Sequence, residues 1–137
     1  LGDSQIVIFK VSNQKYGLPI RSVSEIIRIP DVTQIPNAQS YFKGVISLRD
    51  HVVPVISLSK RLNLNEAAVS RDSRIIIAED NDIKVGLIVD AVCSVTHYRD
   101  KELKSANHAE EQNDFITGIL NRDDEMILML NPQKVIN

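Results

Sequence analysis

The chain has 137 residues, 43% apolar and 25% charged, with a formal net charge of −2. That length suits one domain, or two small joined subdomains, with a core of its own. The near balance of charge argues against a broad nucleic-acid footprint, and no apolar run approaches the roughly 20 residues of a membrane span. The one cysteine, Cys93, cannot form an internal disulfide, which fits a reducing, cytosolic compartment. The chain opens on Leu1 without a basic-then-apolar leader, which reads as a trimmed or excised segment.

Gln5–Val11 predicts a strand, Ser12-Asn13 a turn whose side chains bond nearby backbone, and Tyr16–Ile20 an antiparallel return. Ser22–Arg28 places Val23, Ile26 and Ile27 at helical spacing. It is short and runs into Ile29-Pro30, so it reads as a turn entering a strand. Pro30 to Tyr41, with Pro30, Pro36 and Asn37, predicts irregular chain. The most strongly patterned stretch follows, Phe42–Leu58. Its runs Val45–Leu48 and Val52–Leu58, rich in Val and Ile, flank Arg49-Asp50-His51 and predict an antiparallel hairpin. Gly44 marks a bulge or a close backbone approach, and Pro54 an edge position or an outward-facing N–H. Arg49, at the hairpin tip, is either an interface anchor or a solvated side chain. Ser59–Leu64 predicts a short helical turn and Asn65–Ser73 a polar loop.

Arg74–Glu79, Ile83–Asp90 and Ala91–His97 predict three more strands, the first two joined by Asp80-Asn81-Asp82. Tyr98 to Asp114 is charged, lacks an apolar period and predicts a long solvated loop, the part most prone to disorder. Phe115–Asn121 and Glu125–Asn131 form a closing hairpin across Arg122-Asp123-Asp124. Asn131 and Pro132 then suit a helix cap and a first helical position.

The halves echo each other. Tyr16-Gly17-Leu18 matches Val85-Gly86-Leu87, an offset of 86 − 17 = 69. Phe42-Lys43-Gly44-Val45 matches Ile116-Thr117-Gly118-Ile119, an offset of 118 − 44 = 74. A duplicated unit of about five short strands predicts a pair of small β-barrels sharing apolar surface. The runs Ile75–Ile77 and Met126–Leu130 predict strands covered on both faces. Chemistry is hard to find. His51, His97 and His108 have no metal-ligand spacing with Cys93, which sits in an apolar run as an inert small hydrophobe. There is no Gly-rich phosphate loop and no nucleophile elbow. The pairs Glu110-Glu111 and Asp123-Asp124 read as solvated.

Taken in order, Tyr16–Ile20 with Val23-Ser24-Glu25-Ile26, Ile35-Pro36, Phe42–Arg49, Val53–Leu58, Val85–Val92 and Phe115–Ile119 resemble a CheW-type domain, the adaptor of bacterial chemotaxis arrays. The resemblance covers nearly the whole chain. It implies one domain over 1–137, mostly β. Two SH3-like five-stranded barrels would pack around a shared apolar core with one or two short helical turns, their interlacing left open. It implies a non-enzymatic scaffold without cofactor or metal, cytoplasmic at receptor arrays. The scaffold would couple the regulatory domain of a chemotaxis histidine kinase to the helical hairpin tips of chemoreceptors. Nucleic acid and membrane insertion have no part in that reading. Receptor contacts carry over to Val23 and Glu25 on one wall of a groove between the barrels, and Leu48 and Arg49 on the other. Kinase-binding residues stay unassigned. One departure stands out: Asp50 occupies the place of the family's usual glycine, beside Arg49, where its carboxylate could pair with the guanidinium. Two alternatives remain. One is the same domain cut from a larger protein, a kinase regulatory domain or an adaptor–receiver fusion. The other is a small β-barrel hydrolase or nucleotide-binding module.

Overall fold

The computed structural model describes residues 3–37, 39–105 and 114–136. The chain starts with β1 (Asp3–Val11) and β2 (Gln14–Pro19), turned at Ser12-Asn13 as the side chains predict. A 3₁₀ turn over Ile20–Ser22 leads into β3 (Val23–Ile27), so the ambiguous stretch is a turn and then a strand. The central hairpin is β4 (Phe42–Leu48) and β5 (His51–Ser57), followed by the single turn α1 (Leu58–Arg61). Next come β6 (Arg74–Asp80), β7 (Ile83–Val89) and β8 (Ala91–Arg99), then a second 3₁₀ turn and the three-residue β9 (Leu103–Ser105). The chain closes with β10 (Ile116–Arg122), β11 (Glu125–Leu130) and α2 (Pro132–Ile136). Asn131 caps α2 as expected, its Oδ1 accepting from the Gln133 amide at 3.0 Å.

Two sheets result. Sheet I runs β8-β1-β2-β11-β10-β9 and sheet II runs β3-β6-β7-β5-β4. This is the mostly β, two-sheet arrangement the sequence predicts, and it fits two SH3-like subdomains. Sheet I has a sixth, very short strand because β9 pairs with Gly118–Leu120. That pairing corrects part of the loop predicted from Tyr98: Tyr98 and Arg99 extend β8, and Leu103 packs under sheet I beside Ile6 and Leu120. Periodicity misses so short an element because three residues cannot show a pattern. The rest of that expectation, over residues 106–113, lies outside the described residues.

Apolar side chains fill three layers. Between the sheets lie Val7, Phe9, Val11, Tyr16, Leu18 and Leu130 from sheet I, against Ile56, Ile76, Ala78, Val85, Leu87 and Val89 from sheet II. The far face of sheet I buries Ile6, Ile8, Leu120, Ile127 and Met129. The far face of sheet II buries Ile46, Val53, Val55, Ile75 and Ile77. Alternation along β1 and β6 thus sends apolar groups into two different layers, which is why those strands read as unbroken runs. Met126 departs from the expectation for β11: it sits next to the hairpin tip and is 48% exposed. Pro54 also departs in part. Its strand is interior, between β7 and β4, and the proline stands just ahead of the Val55–Ser57 stretch that pairs with β7. Its missing N–H therefore falls ahead of that ladder.

Arg61 ties the elements at one end of the molecule together. Its guanidinium carbon lies 4.8 Å from the ring centroids of both Tyr41 and Phe115. Nη2 donates to the Lys134 carbonyl at 2.9 Å and Nε to the Val135 carbonyl at 3.3 Å. These are carbonyls at the end of α2, which a cation there suits.

Gly44 and Gly118 have one job. Each lies at a register shift, Phe42/Gly44 and Ile116/Gly118. At each, a carbonyl of a neighbouring segment crowds the space of a side chain. A Cβ at Gly44 would stand 2.2 Å from the Thr33 carbonyl oxygen, and one at Gly118 2.9 Å from that of Lys104. Gly44 also has φ +142°, a backbone region closed to L side chains. Gly44→Ala is therefore expected to lower the unfolding free energy by about 2–4 kcal/mol. Urea denaturation measures this, and a change below about 0.5 kcal/mol would mean that the Thr33 segment moves aside without cost.

Candidate functional site

The described chain turns four β-hairpins through two-residue tips: Ser12-Asn13, Arg49-Asp50, Asn81-Asp82 and Asp123-Asp124. All eight residues have positive φ, the geometry that matches hairpin twist. Seven are Ser, Asn or Asp. Asn and Asp in particular tolerate the left-handed region because their short polar side chains bond locally. Arg49, with φ 49°, is the exception. A long side chain gains nothing locally from that conformation, so its reason lies further off.

That reason is Glu25. Arg49 donates through both Nη1 and Nη2 to the two carboxylate oxygens of Glu25, with Nη2 to Oε1 at 2.9 Å. Planar guanidinium matches carboxylate in this two-point way where lysine cannot. Glu25 lies on β3 and Arg49 at the end of β4, the first and last strands of sheet II, so the pair spans the seam between the sheet's edges. Its halves differ in exposure: the Glu25 side chain is 19% exposed and that of Arg49 71%. The Arg49 hydrogen bonds hold the Glu25 carboxyl below its ordinary value, against a smaller opposing effect of desolvation, and Lys84 on β7 adds to the lowering.

Of the four residues singled out from the sequence, the structure brings Glu25 and Arg49 into contact. Leu48 is half-buried and packs on the far-face layer of sheet II. Val23 is half-buried against the layer between the sheets. All four lie on one sheet, so the two walls expected to belong to two barrels are the two edges of sheet II, and only Val23 reaches the layer between the sheets. The pairing foreseen between Arg49 and Asp50 goes instead to Glu25, because a side chain across the seam offers the better two-point geometry. Two apolar residues near the seam escaped the sequence reading. Ile26 is 37% exposed and Val52 71%. Val52-Val53 held the clue: neighbours on a strand face opposite ways, so one of the two must point outward.

Sheet I repeats the device. Arg122, at the end of β10, donates to Thr96 Oγ1 on β8 at 3.1 Å and to both Glu102 oxygens at 3.1 and 3.2 Å. A surface depression of about 220 Å³ is lined by Lys43, Ser57, Ser59, Glu66 and Asp90. Burial works to raise the Glu66 carboxyl, but hydrogen bonds from Ser57 and Lys43 and the nearby Lys60 outweigh it and leave the group lowered. The Glu66 carboxylate is thus paired with Lys43 at 3.2 Å and Lys60 at 3.8 Å. Cys93 is exposed on β8, not packed inside an apolar run, because it is the extra residue at the register shift between Ile8/Phe9 and Ser94/Val92. His51 and His97 are exposed, and His108 lies outside the described residues. Among the described residues, no group of three or more His, Cys, Asp or Glu is placed to hold a metal. None of their helices is long and apolar enough to cross a membrane.

The model of the CheW-like domain matches residues 5–137. The chain belongs to the CheW-like family. This CheW-like chain is 38% identical to the chemotaxis protein CheW of Bacillus subtilis over 102 residues, 74% of the chain but 65% of that protein. It is 27% identical to the CheW of Treponema pallidum, over 97% of the chain and 82% of that protein. The crystal structure of the scaffolding protein TtCheW from Thermoanaerobacter tengcongensis superposes with a TM-score of 0.88 at 35% identity, covering 96% of this chain and 90% of that one. Adaptor and scaffold work is the function of the family.

The Glu25–Arg49 pair has a direct readout in this CheW-like domain. Because the Glu25 pKa is depressed in the folded state, the pair's contribution is complete above the ordinary value of 4.5. It fades as pH falls through the depressed value. Side-chain carboxyl NMR should show Glu25 titrating closer to 4.5 in Arg49→Ala than in the native chain. The acid-side loss of stability should be shallower in Glu25→Gln. Identical titration with and without Arg49 would show that the pair does not form in solution.

Proposed function

We propose that this CheW-like domain is a non-enzymatic scaffold that couples a chemotaxis histidine kinase, through its regulatory domain, to the cytoplasmic hairpin tips of chemoreceptors. It would work in the cytoplasm at receptor arrays, with no cofactor and no nucleic acid. The observation that carries the reading is the exposed Arg49, held by the largely covered Glu25 at the seam of sheet II, with the apolar Ile26 and Leu48 next to the pair in sequence. A helical hairpin is the partner such a site fits. Val23, Ile26 and Val52 face the side of sheet II turned away from Leu48 and offer apolar contact for one helix face. Leu48 adds to it at the strand end beside Arg49, and Glu25 and Arg49 set register and direction by charge. The kinase would take a separate patch, for which no residues are assigned. The chain is further read as one domain made of a duplicated unit that exchanges its first hairpin. Several likenesses support this: the same pairing order in both sheets, the parallel pairs Val55↔Gly86 and Met129↔Gly17, and the crowded glycines at 44 and 118.

A charge swap separates recognition from stability. Glu25→Arg with Arg49→Glu rebuilds the seam pair with its poles exchanged, so the fold should melt close to the native temperature. Affinity for a receptor-tip fragment should fall by roughly 30-fold, a hot-spot loss of about 2 kcal/mol. Each single variant should lose both stability and binding, having set like charges against each other. Native-like binding of the double variant by calorimetric titration would remove the pair from the contact surface.

A further inference from the structure

The β4–β5 tip carries one charge that the fold does not consume. Arg49 is matched by Glu25, and Lys84 on the adjoining β7 acts on that same carboxylate. Asp50 is exposed and makes no side-chain hydrogen bond or ion pair among the described residues. Aspartate at the second tip position is turn chemistry in the first instance, since Asp82 and Asp124 hold the same place in other hairpins. Two features set Asp50 apart. It alone follows a cation already locked in an ion pair, so its charge is not spent on its neighbour. It also stands at the tip bordered by the exposed Val52 and by the seam beside Ile26.

We infer that Asp50 determines which partner the seam accepts, selecting a helical surface that presents a lysine or arginine opposite the tip. The inference rests on the receptor-tip reading above and adds to it the chemistry of the contact. Arg49 is already shared with Glu25, so an incoming acid finds a guanidinium partly matched, whereas an incoming cation meets at Asp50 a carboxylate with no partner among the described residues. An acidic residue opposite Asp50 would be penalised, so the tip discriminates by repulsion as well as by attraction.

The experiment measures affinity for a soluble chemoreceptor hairpin-tip fragment, from the organism that encodes this chain, at low and high salt. The chains compared are the native protein, Asp50→Asn, Asp50→Lys, Arg49→Ala and the control Asp82→Asn. Asparagine keeps the left-handed turn and removes only the charge. Asp50→Asn should weaken binding about 2- to 5-fold at low salt and flatten the salt dependence. Asp50→Lys should weaken it further, and Asp82→Asn should change nothing. Reversing one lysine or arginine of the fragment to glutamate should restore binding to Asp50→Lys. Native or tighter binding by Asp50→Asn, while Arg49→Ala loses affinity, would overturn the role of Asp50 and leave the site standing. If the native chain fails to bind, or neither Arg49→Ala nor Asp50→Asn alters binding, the receptor-tip reading falls, and this inference with it.

Discussion

The apolar layer trapped between the two sheets holds the molecule in its shape. Phe9, Val7 and Leu18 from sheet I meet Ile76, Leu87 and Val89 from sheet II there, and all six are fully buried. Sheet I takes β1 and β2 from one end of the chain and β8 to β11 from the other, while sheet II is built from the strands between. Neither half of the sequence therefore completes a sheet alone. The chain leaves sheet I through the Ile20–Ser22 turn and returns at β8, and both crossings border the shared layer. The layer also fixes the site. Val23 is packed against it, so β3 has one position, and Glu25 two residues later is delivered to the seam. The same logic fixes the other partner. Val53 and Val55 anchor β5 in the layer on the far face of sheet II, and the two-residue tip then leaves Arg49 little freedom.

Much of this was legible in the sequence because its signals are local. Val and Ile runs, Gly44, the Ser12-Asn13 turn and the Asn131-Pro132 start of α2 each follow from a residue's own stereochemistry. The strand run Ile75–Ile77 was readable for the same reason, with both faces covered by different layers. Non-local features escaped. Nothing in Leu103–Ser105 marks a strand; it becomes one because Gly118 leaves room for the Lys104 carbonyl. Cys93 sits in an apolar run, yet a register shift against β1 turns it outward. The partner of Arg49 is decided by which strands end a sheet, and sequence proximity pointed instead to Asp50. Val23, Glu25, Leu48 and Arg49 came from family resemblance, and the fold adds the contact between the second and fourth.

An exposed ion pair adds little to stability, typically below about 1 kcal/mol. The left-handed conformation of Arg49 costs about as much or more. On folding grounds alone, Arg49 would be better replaced by asparagine, as the other three tips suggest. On the proposed reading, a residue that brings no net stability where it stands is explained by what it meets outside the molecule. The asymmetry of the pair supports this. Glu25 is largely covered and Arg49 largely open, so the carboxylate holds the guanidinium in place while leaving one face of it free. A preset cation with its rotamers already restrained loses less entropy on binding than a free surface arginine would. On the proposed reading the seam pair is a positioned contact, with Asp50 beside it as the charge still to be matched.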